Sequence, residues 1–179
     1  MKKVILLLAL AVGFASCEGD QGPPGLDGFD GEDAPIPQSF EVELDFAAPN
    51  FSNRIEYPND IFTAQDDMVL IYLLIEEAPA DDGGFVDVWG LLPYTVYSEV
   101  GEFQYNNDFT AGDATIFIEG PESTNREELS DEALINQVFR IVILPIDFIG
   151  NNPNLDITDY QSVINLAGLN PDDIIEIQK

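Results

Sequence analysis

Apolar and acidic residues alternate strictly between positions 40 and 46. The apolar positions are Phe40, Val42, Leu44 and Phe46, and the acidic positions between them are Glu41, Glu43 and Asp45. Successive side chains of a β-strand point to opposite faces, so a period of two predicts a strand with one face in the core and one in water. This segment favours a β-sheet as the framework of the chain.

Further segments of strand length follow, each bounded by Gly, Pro or Asn/Asp clusters. Residues 68–75 are continuously apolar, which predicts a central strand buried on both faces. Asp81-Asp82-Gly83-Gly84 then has the composition of a turn. The other predicted strands cover residues 55–57, 85–89, 95–99, 103–107, 114–119, 138–144 and 174–177.

Two short helical segments interrupt this β pattern. One is predicted around residues 130–135, with Ser130 as its cap. The other covers residues 159–167, where Thr158 and Gln161 are spaced as a capping box and Gly168 ends the helix. Many short strands with one or two short helices predict a mainly β fold class, an antiparallel β-sandwich.

The N-terminus has the layout of a signal peptide. Lys2 and Lys3 precede the apolar residues 4–14, a run too short for a membrane-spanning helix, which needs about 20 apolar residues. Ala15-Ser16-Cys17 follows, and Cys17 is the single cysteine of the chain. This ending resembles bacterial lipoprotein signals, in which the cysteine is lipidated. The alternative is a plain secreted protein with a spare thiol.

Two acidic residues follow the cysteine closely. Glu18 and Asp20 resemble the signal that sends lipoproteins of some two-membraned bacteria to the outer face of the outer membrane. The resemblance implies an exported outer membrane lipoprotein, exposed at the cell surface. Acyl chains on Cys17 would then hold the mature protein on the membrane.

A short collagen-like tract begins directly after Glu18. Its five Gly-X-Y triplets start at Gly19, Gly22, Gly25, Gly28 and Gly31. Glycine at every third position suits a triple helix, but the acidic side chains of a trimer would face their own copies. An extended single-chain spacer is therefore favoured over a trimer. The predicted organisation is a signal peptide over 1–16, a lipidated cysteine with an acidic spacer over 17–37, and a β-sandwich-like domain over 38–179.

The charge and the missing histidine exclude several classes of function. Removal of residues 1–16 leaves four basic residues against all 34 acidic ones, a net charge of −30. Nucleic-acid binding needs basic patches, so it is excluded. The chain has no histidine, which excludes Ser-His-Asp catalysis and zinc sites built on imidazole. Two-carboxylate catalysis stays formally open, and the expectation is a protein that is not an enzyme.

Aromatic residues cluster in sequence around position 90. Trp89, Tyr94 and Tyr97 are candidate ligand contacts, because an exposed Trp/Tyr platform on a β-sandwich can stack a sugar ring. The alternative, which is favoured, is packing in the core or at a sheet edge. An exposed Trp89 would support sugar binding and a buried one would oppose it.

Two further sets of polar residues have simpler interpretations. Asp81 and Asp82 are candidate calcium ligands, but Asp and Asn are also common turn residues, and that interpretation is favoured. Arg140 lies in an apolar stretch and is expected to pair with a neighbouring acid, not to hold an anionic ligand. No cofactor is expected beyond this calcium candidate.

The whole layout resembles a group of small, mostly uncharacterised bacterial surface lipoproteins with a Gly-X-Y tract and a β-rich domain. The residues that carry the resemblance are 15–17, 19–33, 86–93, 104–109 and 137–142. It implies location and architecture but no activity. The first hypothesis is a non-catalytic envelope protein whose domain binds another envelope protein or a surface glycan. The alternatives are a carbohydrate- or matrix-binding module and a trimeric adhesin stalk.

Overall fold

The protein is described by a computed structural model that covers residues 36–58, 61, 66–80, 83–171 and 174–177. These residues form a mainly β domain with two sheets, as predicted, and three short α-helices where one or two were expected. Its strands are β1 (Gln38–Leu44), β2 (Ser52–Glu56), β3 (Met68–Pro79), β4 (Phe85–Leu91), β5 (Tyr94–Ser98), β6 (Gly101–Phe109), β7 (Asp113–Glu119), β8 (Gln137–Leu144) and β9 (Ile175–Ile177).

The two sheets pack face to face as a β-sandwich. The first sheet has the strand order β4-β3-β8-β1-β9, and the second sheet has the order β2-β7-β6-β5. All neighbouring strands are antiparallel except β1 and β9, which are parallel. Connections that alternate between the two sheets, such as β1 to β2 and β4 to β5, build the sandwich from strands distant in sequence.

The main core lies between the sheets. Phe40, Ile71 and Phe139 reach it from the first sheet, while Phe103 and Ile116 reach it from the second. All five side chains are almost fully buried. The alternation predicted for β1 is confirmed, because its apolar residues are buried in this core and its acidic residues point to the other face.

A second core covers the outer face of the first sheet. The α-helices are α1 (Asp131–Leu134), α2 (Ile146–Asn151) and α3 (Tyr160–Ala167). Val163 and Ile164 of α3 pack over Tyr72 of β3 and Val142 of β8. This helical layer explains why most of β8 and residues 69–73 of β3 are buried on both faces. Burial on both faces was predicted for residues 68–75, and it ends before the exposed Ile75.

The start of α3 differs from the sequence-based prediction. Asp159, and not Thr158, is the N-cap, since its carboxylate accepts hydrogen bonds from the Ser162 backbone N–H at 3.3 Å and from Ser162 Oγ at 2.5 Å. Thr158 instead donates to Asp156 from its backbone and its hydroxyl. The end of the helix is as predicted, because Gly168 takes a left-handed conformation with φ +68°.

Two helical pieces were not predicted. They are α2 and a single 3-10 turn, Arg126–Glu128. Pro145 before α2, with Gly150 and two asparagines at its end, has the composition of a loop, which hid this helix in the sequence. Helix α1 occurs where it was predicted, although Ser130 makes no side-chain cap hydrogen bond. None of the helices in the described ranges is long and apolar enough to cross a membrane.

Candidate functional site

A groove of about 790 Å³ opens between β3 of the first sheet and β5 of the second. We call it the β3–β5 groove. Its apolar lining consists chiefly of Leu73, Ile75, Tyr94, Val96, Phe103 and Tyr105. The inner part of this lining is buried, whereas Ile75 is 40% exposed, and Tyr97, which also lines the groove, is 81% exposed. Large apolar or aromatic surface is therefore in contact with water at the mouth of the groove.

The groove runs along a free sheet edge. Strand β5 is the last strand of the second sheet, and it pairs with β6 on one side. Within the described ranges no strand pairs with its other side. In an antiparallel strand the N–H and C=O groups of every second residue point to the same side. Backbone donors and acceptors of β5 therefore face outward at the groove.

A close contact between Gly90 of β4 and the Tyr94 ring positions this ring in the groove. The chain leaves β4 in the first sheet and turns through Leu92, whose N–H donates to the Ile71 carbonyl at 2.9 Å, before it enters β5. A Cβ atom on Gly90 would lie 2.7 Å from the Tyr94 ring and 2.9 Å from Ile75. Only a glycine at position 90 leaves room for this ring between the sheets.

The polar floor of the groove is joined to α1. Tyr105 of β6 donates a hydrogen bond from its hydroxyl to the Ala133 carbonyl at 2.6 Å, and Oε1 of Gln137 lies 3.2 Å from the same hydroxyl. Burial raises the pKa of Tyr105 well above its usual value. This phenol therefore stays neutral and holds α1, with its acidic residues, beside the groove.

The charged residues that line the groove are all acidic. They are Glu99 in the β5–β6 turn, Glu128 in the 3-10 turn and Glu132 in α1, and all three are exposed. No lysine or arginine is part of the described lining. The β5–β6 turn, the 3-10 turn and α1 thus place carboxylates around one apolar groove.

The arginines lie elsewhere in the domain. Arg54 of β2 forms an ion pair with Asp113 of β7, and Arg126 donates to the Ile118 carbonyl at 2.9 Å. Arg140 lies on the outer face of the first sheet. It is paired with Glu41 on β1 in the strand register, and its Nε and Nη2 donate to Oε2 of Glu41 at 3.0 and 2.6 Å.

Arg140 has no free hydrogen-bonding face for a ligand. Besides its ion pair, its Nη1 donates to the Tyr160 hydroxyl, and its guanidinium lies 4.2 Å from the centre of the Trp89 ring. The arginine is 6% exposed. The expectation that Arg140 pairs with a neighbouring acid is confirmed. This cluster stabilises the contact between the first sheet and α3 and leaves no space for an anion.

Trp89, Tyr94 and Tyr97 do not form a common platform. Trp89 is only 9% exposed, in the outer core beneath α3, where its ring centre lies 5.4 Å from that of Tyr160. Tyr94 packs against the opposite face of β4, at Gly90. Successive residues of a strand point to opposite faces, which separates Trp89 from the groove. Of these three residues, Tyr94 and Tyr97 line the groove and Trp89 does not.

The remaining predicted site residues lie outside the described residues. These are Cys17, Glu18, Asp20, Asp81, Asp82 and the tract glycines Gly19, Gly22, Gly25, Gly28 and Gly31. Among the residues that are described, no group of three or more Asp, Glu, Cys or His side chains is arranged to hold a metal ion.

No protein-family model, no curated protein and no solved structure matches this chain. A functional proposal therefore rests on its own residues. The sequence did not single out Glu99, Glu132 or Ile75 as site residues. No sequence signal marks them, because they lie on separate elements and only the fold brings them to one groove.

Proposed function

We propose that this chain is a non-catalytic, lipid-anchored protein of the cell envelope whose β domain binds another envelope component through the β3–β5 groove. The observation that carries the binding role is the exposure of Tyr97 and Ile75 beside the free edge of β5. The unpaired backbone groups of β5 allow a partner protein to add a strand to the sheet. The exposed apolar side chains next to them favour binding, because a partner would remove them from water.

The anchoring part of the proposal rests on the sequence. Ala15-Ser16-Cys17 after an apolar run resembles a lipoprotein signal, and the glycine-rich tract that follows has the composition of an extended spacer. About twenty residues between Cys17 and the domain would span roughly 60 Å if they adopted an extended polyproline-like conformation. Such a spacer would let the domain reach a partner away from the lipid surface.

A protein partner is favoured over a sugar. Sugar-binding β-sandwiches use an exposed aromatic platform, and the single tryptophan of this chain is buried under Arg140 and Tyr160. The absence of histidine removes the usual general base for a catalytic role. Binding without chemistry is the role that these features support best.

The anchor is tested by changing Cys17→Ser. The unchanged protein is expected in the outer membrane fraction, with a mass increased by its acyl chains, whereas the variant is expected in the soluble fraction without them. Equal membrane association of both forms would contradict lipid anchoring. Protease treatment of whole cells then tests whether the domain is displayed on the outer surface.

The binding role is tested by gentle detergent extraction and native mass analysis of the full-length protein. Tyr97→Ser is the groove variant, and Phe85→Ser, which changes a 72% exposed aromatic residue in β4, is the matched control. We expect an envelope protein in a fixed stoichiometry with the unchanged protein and with the Phe85 variant, and its loss with the Tyr97 variant. A bare monomer, or a partner retained by all three proteins, would contradict the role of the groove.

The other functions give distinct results in the same material. A homotrimer without a partner would favour the Gly-X-Y tract as the working part. Binding of surface oligosaccharides that changes the fluorescence of Trp89 would favour a carbohydrate-binding module. We expect neither result, because the buried Trp89 is out of reach of a sugar in the groove.

A further inference from the structure

We propose that the β3–β5 groove binds an extended, basic segment of a partner protein, which adds to the second sheet as a strand beside β5. The inference rests on the proposed binding role of the groove and names the chemistry of its ligand. It is argued from three properties of the described residues: a free strand edge, an apolar inner row and an acidic rim.

The free edge determines the conformation of the ligand. Outward N–H and C=O groups of β5 are satisfied by an added strand, which provides main-chain hydrogen bonds at regular spacing. The strand covers Tyr94–Ser98, so a segment of about five residues and about 17 Å in length matches it. A helix or a folded loop would not pair with these groups.

The apolar inner row of the groove determines the polarity of every second side chain of the ligand. Tyr94 and Val96 of β5 point toward the core between the sheets, and Val100 also packs against that core. An added strand would place its alternate side chains in line with this row, near the exposed Ile75. Those positions of the ligand are therefore apolar, because their side chains would cover the exposed Ile75.

The acidic rim determines the charge of the ligand. Glu99, Glu128 and Glu132 line the groove, without a lysine or arginine in the described lining. Lysine or arginine at the remaining positions of the segment would complement these carboxylates and increase the rate of association. A second copy of this chain is disfavoured as the occupant, because the mature chain has a net charge of −30, from four basic and 34 acidic residues.

The probe for this proposal is a short fluorescent peptide that alternates valine and lysine, titrated against the full-length protein in detergent. A valine–glutamate peptide is the charge control. A valine–lysine peptide with N-methyl groups on alternate amides is the control for strand pairing, because it cannot donate along one edge. We expect binding of the first peptide only, weaker at higher salt. Binding by either control peptide at a similar affinity, or no binding by the first, would overturn the proposal.

The rim is tested with the double variant Glu99→Gln/Glu132→Gln. Its matched control is Glu56→Gln/Glu122→Gln, which removes two exposed charges from residues that do not line the groove. We expect the rim variant to bind the valine–lysine peptide about twofold to tenfold more weakly, as two exposed ion pairs would give, with little change for the control. An equal loss in both variants would show attraction by net charge alone and would also overturn the proposal.

Competition distinguishes failure of this inference from failure of the proposed function. Where an envelope protein is captured in a Tyr97-dependent manner, the valine–lysine peptide is expected to displace it. If the peptide does not displace the captured protein, the binding role of the groove stands, but the proposal of a basic, extended ligand is overturned. Absence of any Tyr97-dependent partner would contradict the proposed function itself.

Discussion

Arg140 at the centre of β8 donates from Nε and Nη2 to a single carboxylate oxygen of Glu41 on β1, at 3.0 and 2.6 Å. The two residues are directly opposite in the strand register. Nη1 of Arg140 also donates to the hydroxyl of Tyr160 in α3, and the guanidinium lies 4.2 Å from the centre of the Trp89 ring. A buried guanidinium and a partly buried carboxylate thus form an ion pair at the contact between the first sheet and its helical layer.

Removing the carboxylate is expected to leave this buried guanidinium without its anionic partner. We expect Glu41→Gln to lower the free energy of unfolding by about 1–3 kcal/mol, since the neutral amide cannot balance the charge. Urea denaturation at neutral pH measures the difference. Glu43→Gln is the control, because Glu43 is an exposed acid on the same face of the same strand, and it should change stability by less than about 0.5 kcal/mol. Equal effects of the two changes would mean that the ion pair contributes nothing.

Gly90 is expected to be sensitive to the addition of a single methyl group. In Gly90→Ala the new Cβ would lie 2.7 Å from the Tyr94 ring and 2.9 Å from Ile75, so the groove lining must shift. We expect a loss of about 1–3 kcal/mol in thermal or urea unfolding. Gly150→Ala in α2 meets no atom within 4 Å and should be neutral or stabilising by up to about 1 kcal/mol. Partial rescue of Gly90→Ala by Tyr94→Ala would identify the ring as the obstacle.

Removal of two buried tyrosine hydroxyls is expected to have different effects on the stability of the domain. The Tyr57 hydroxyl has no hydrogen-bond partner in the described part of the chain, whereas the Tyr72 hydroxyl donates to the Ile157 carbonyl at 2.7 Å. Tyr57→Phe should therefore leave stability unchanged or raise it by about 1 kcal/mol, and Tyr72→Phe should lower it by about 0.5–1.5 kcal/mol. Urea unfolding at neutral pH tests both. A loss in both variants would show that Tyr57 has a partner after all.

The raised pKa of Tyr57 predicts a loss of stability at alkaline pH. Burial, with a smaller effect from the charge of Asp113, raises the pKa of Tyr57 to about 12 from its ordinary value of 10.0. The unfolded chain releases this proton first, so the stability associated with the neutral phenol is present below about pH 10 and is lost as the pH rises towards 12. Relative to Tyr57→Phe, the unchanged protein should therefore lose stability over this range. A difference in the free energy of unfolding between the two proteins that stays constant from neutral pH to pH 12 would contradict this prediction.

The N-cap of α3 predicts a loss of stability at acidic pH. Hydrogen bonds from the Ser162 hydroxyl and backbone lower the pKa of Asp159 below its ordinary value. The ionised carboxylate thus stabilises the fold above the unfolded pKa, and this contribution is lost as the pH falls through the folded pKa. We expect the melting temperature of the unchanged protein to exceed that of Asp159→Asn at neutral pH, with a difference that shrinks below about pH 4.

Asp159→Ala separates the cap from its charge. Asparagine can still accept the hydrogen bond from Ser162, whereas alanine cannot, so Asp159→Ala should melt at a lower temperature than Asp159→Asn at every pH. Thr158→Ala is the control for the alternative cap. It should leave α3 intact, because the Thr158 side chain bonds to Asp156 and not to the helix. A larger effect at Thr158 than at Asp159 would contradict the observed cap.

Short-range patterns in the sequence determined much of this fold. The alternation along β1, the apolar run of β3 and the glycine at the end of α3 each depend on neighbours within a few residues, and the structure has all three where they were expected. The layout of residues 1–17, on which the anchoring proposal rests, is local in the same way. Periodicity and turn chemistry act over such distances, so a sequence by itself can carry them.

The tertiary structure alone decided which side chains meet. Glu41 and Arg140 are 99 residues apart in sequence, and their ion pair exists because β1 and β8 are neighbours in one sheet. Trp89 is buried because α3 covers its side of β4, while Tyr94 reaches the groove from the opposite face. The three acidic residues of the groove come from separate elements. Strand order and helix packing are set by burial over the whole chain, which no local pattern encodes.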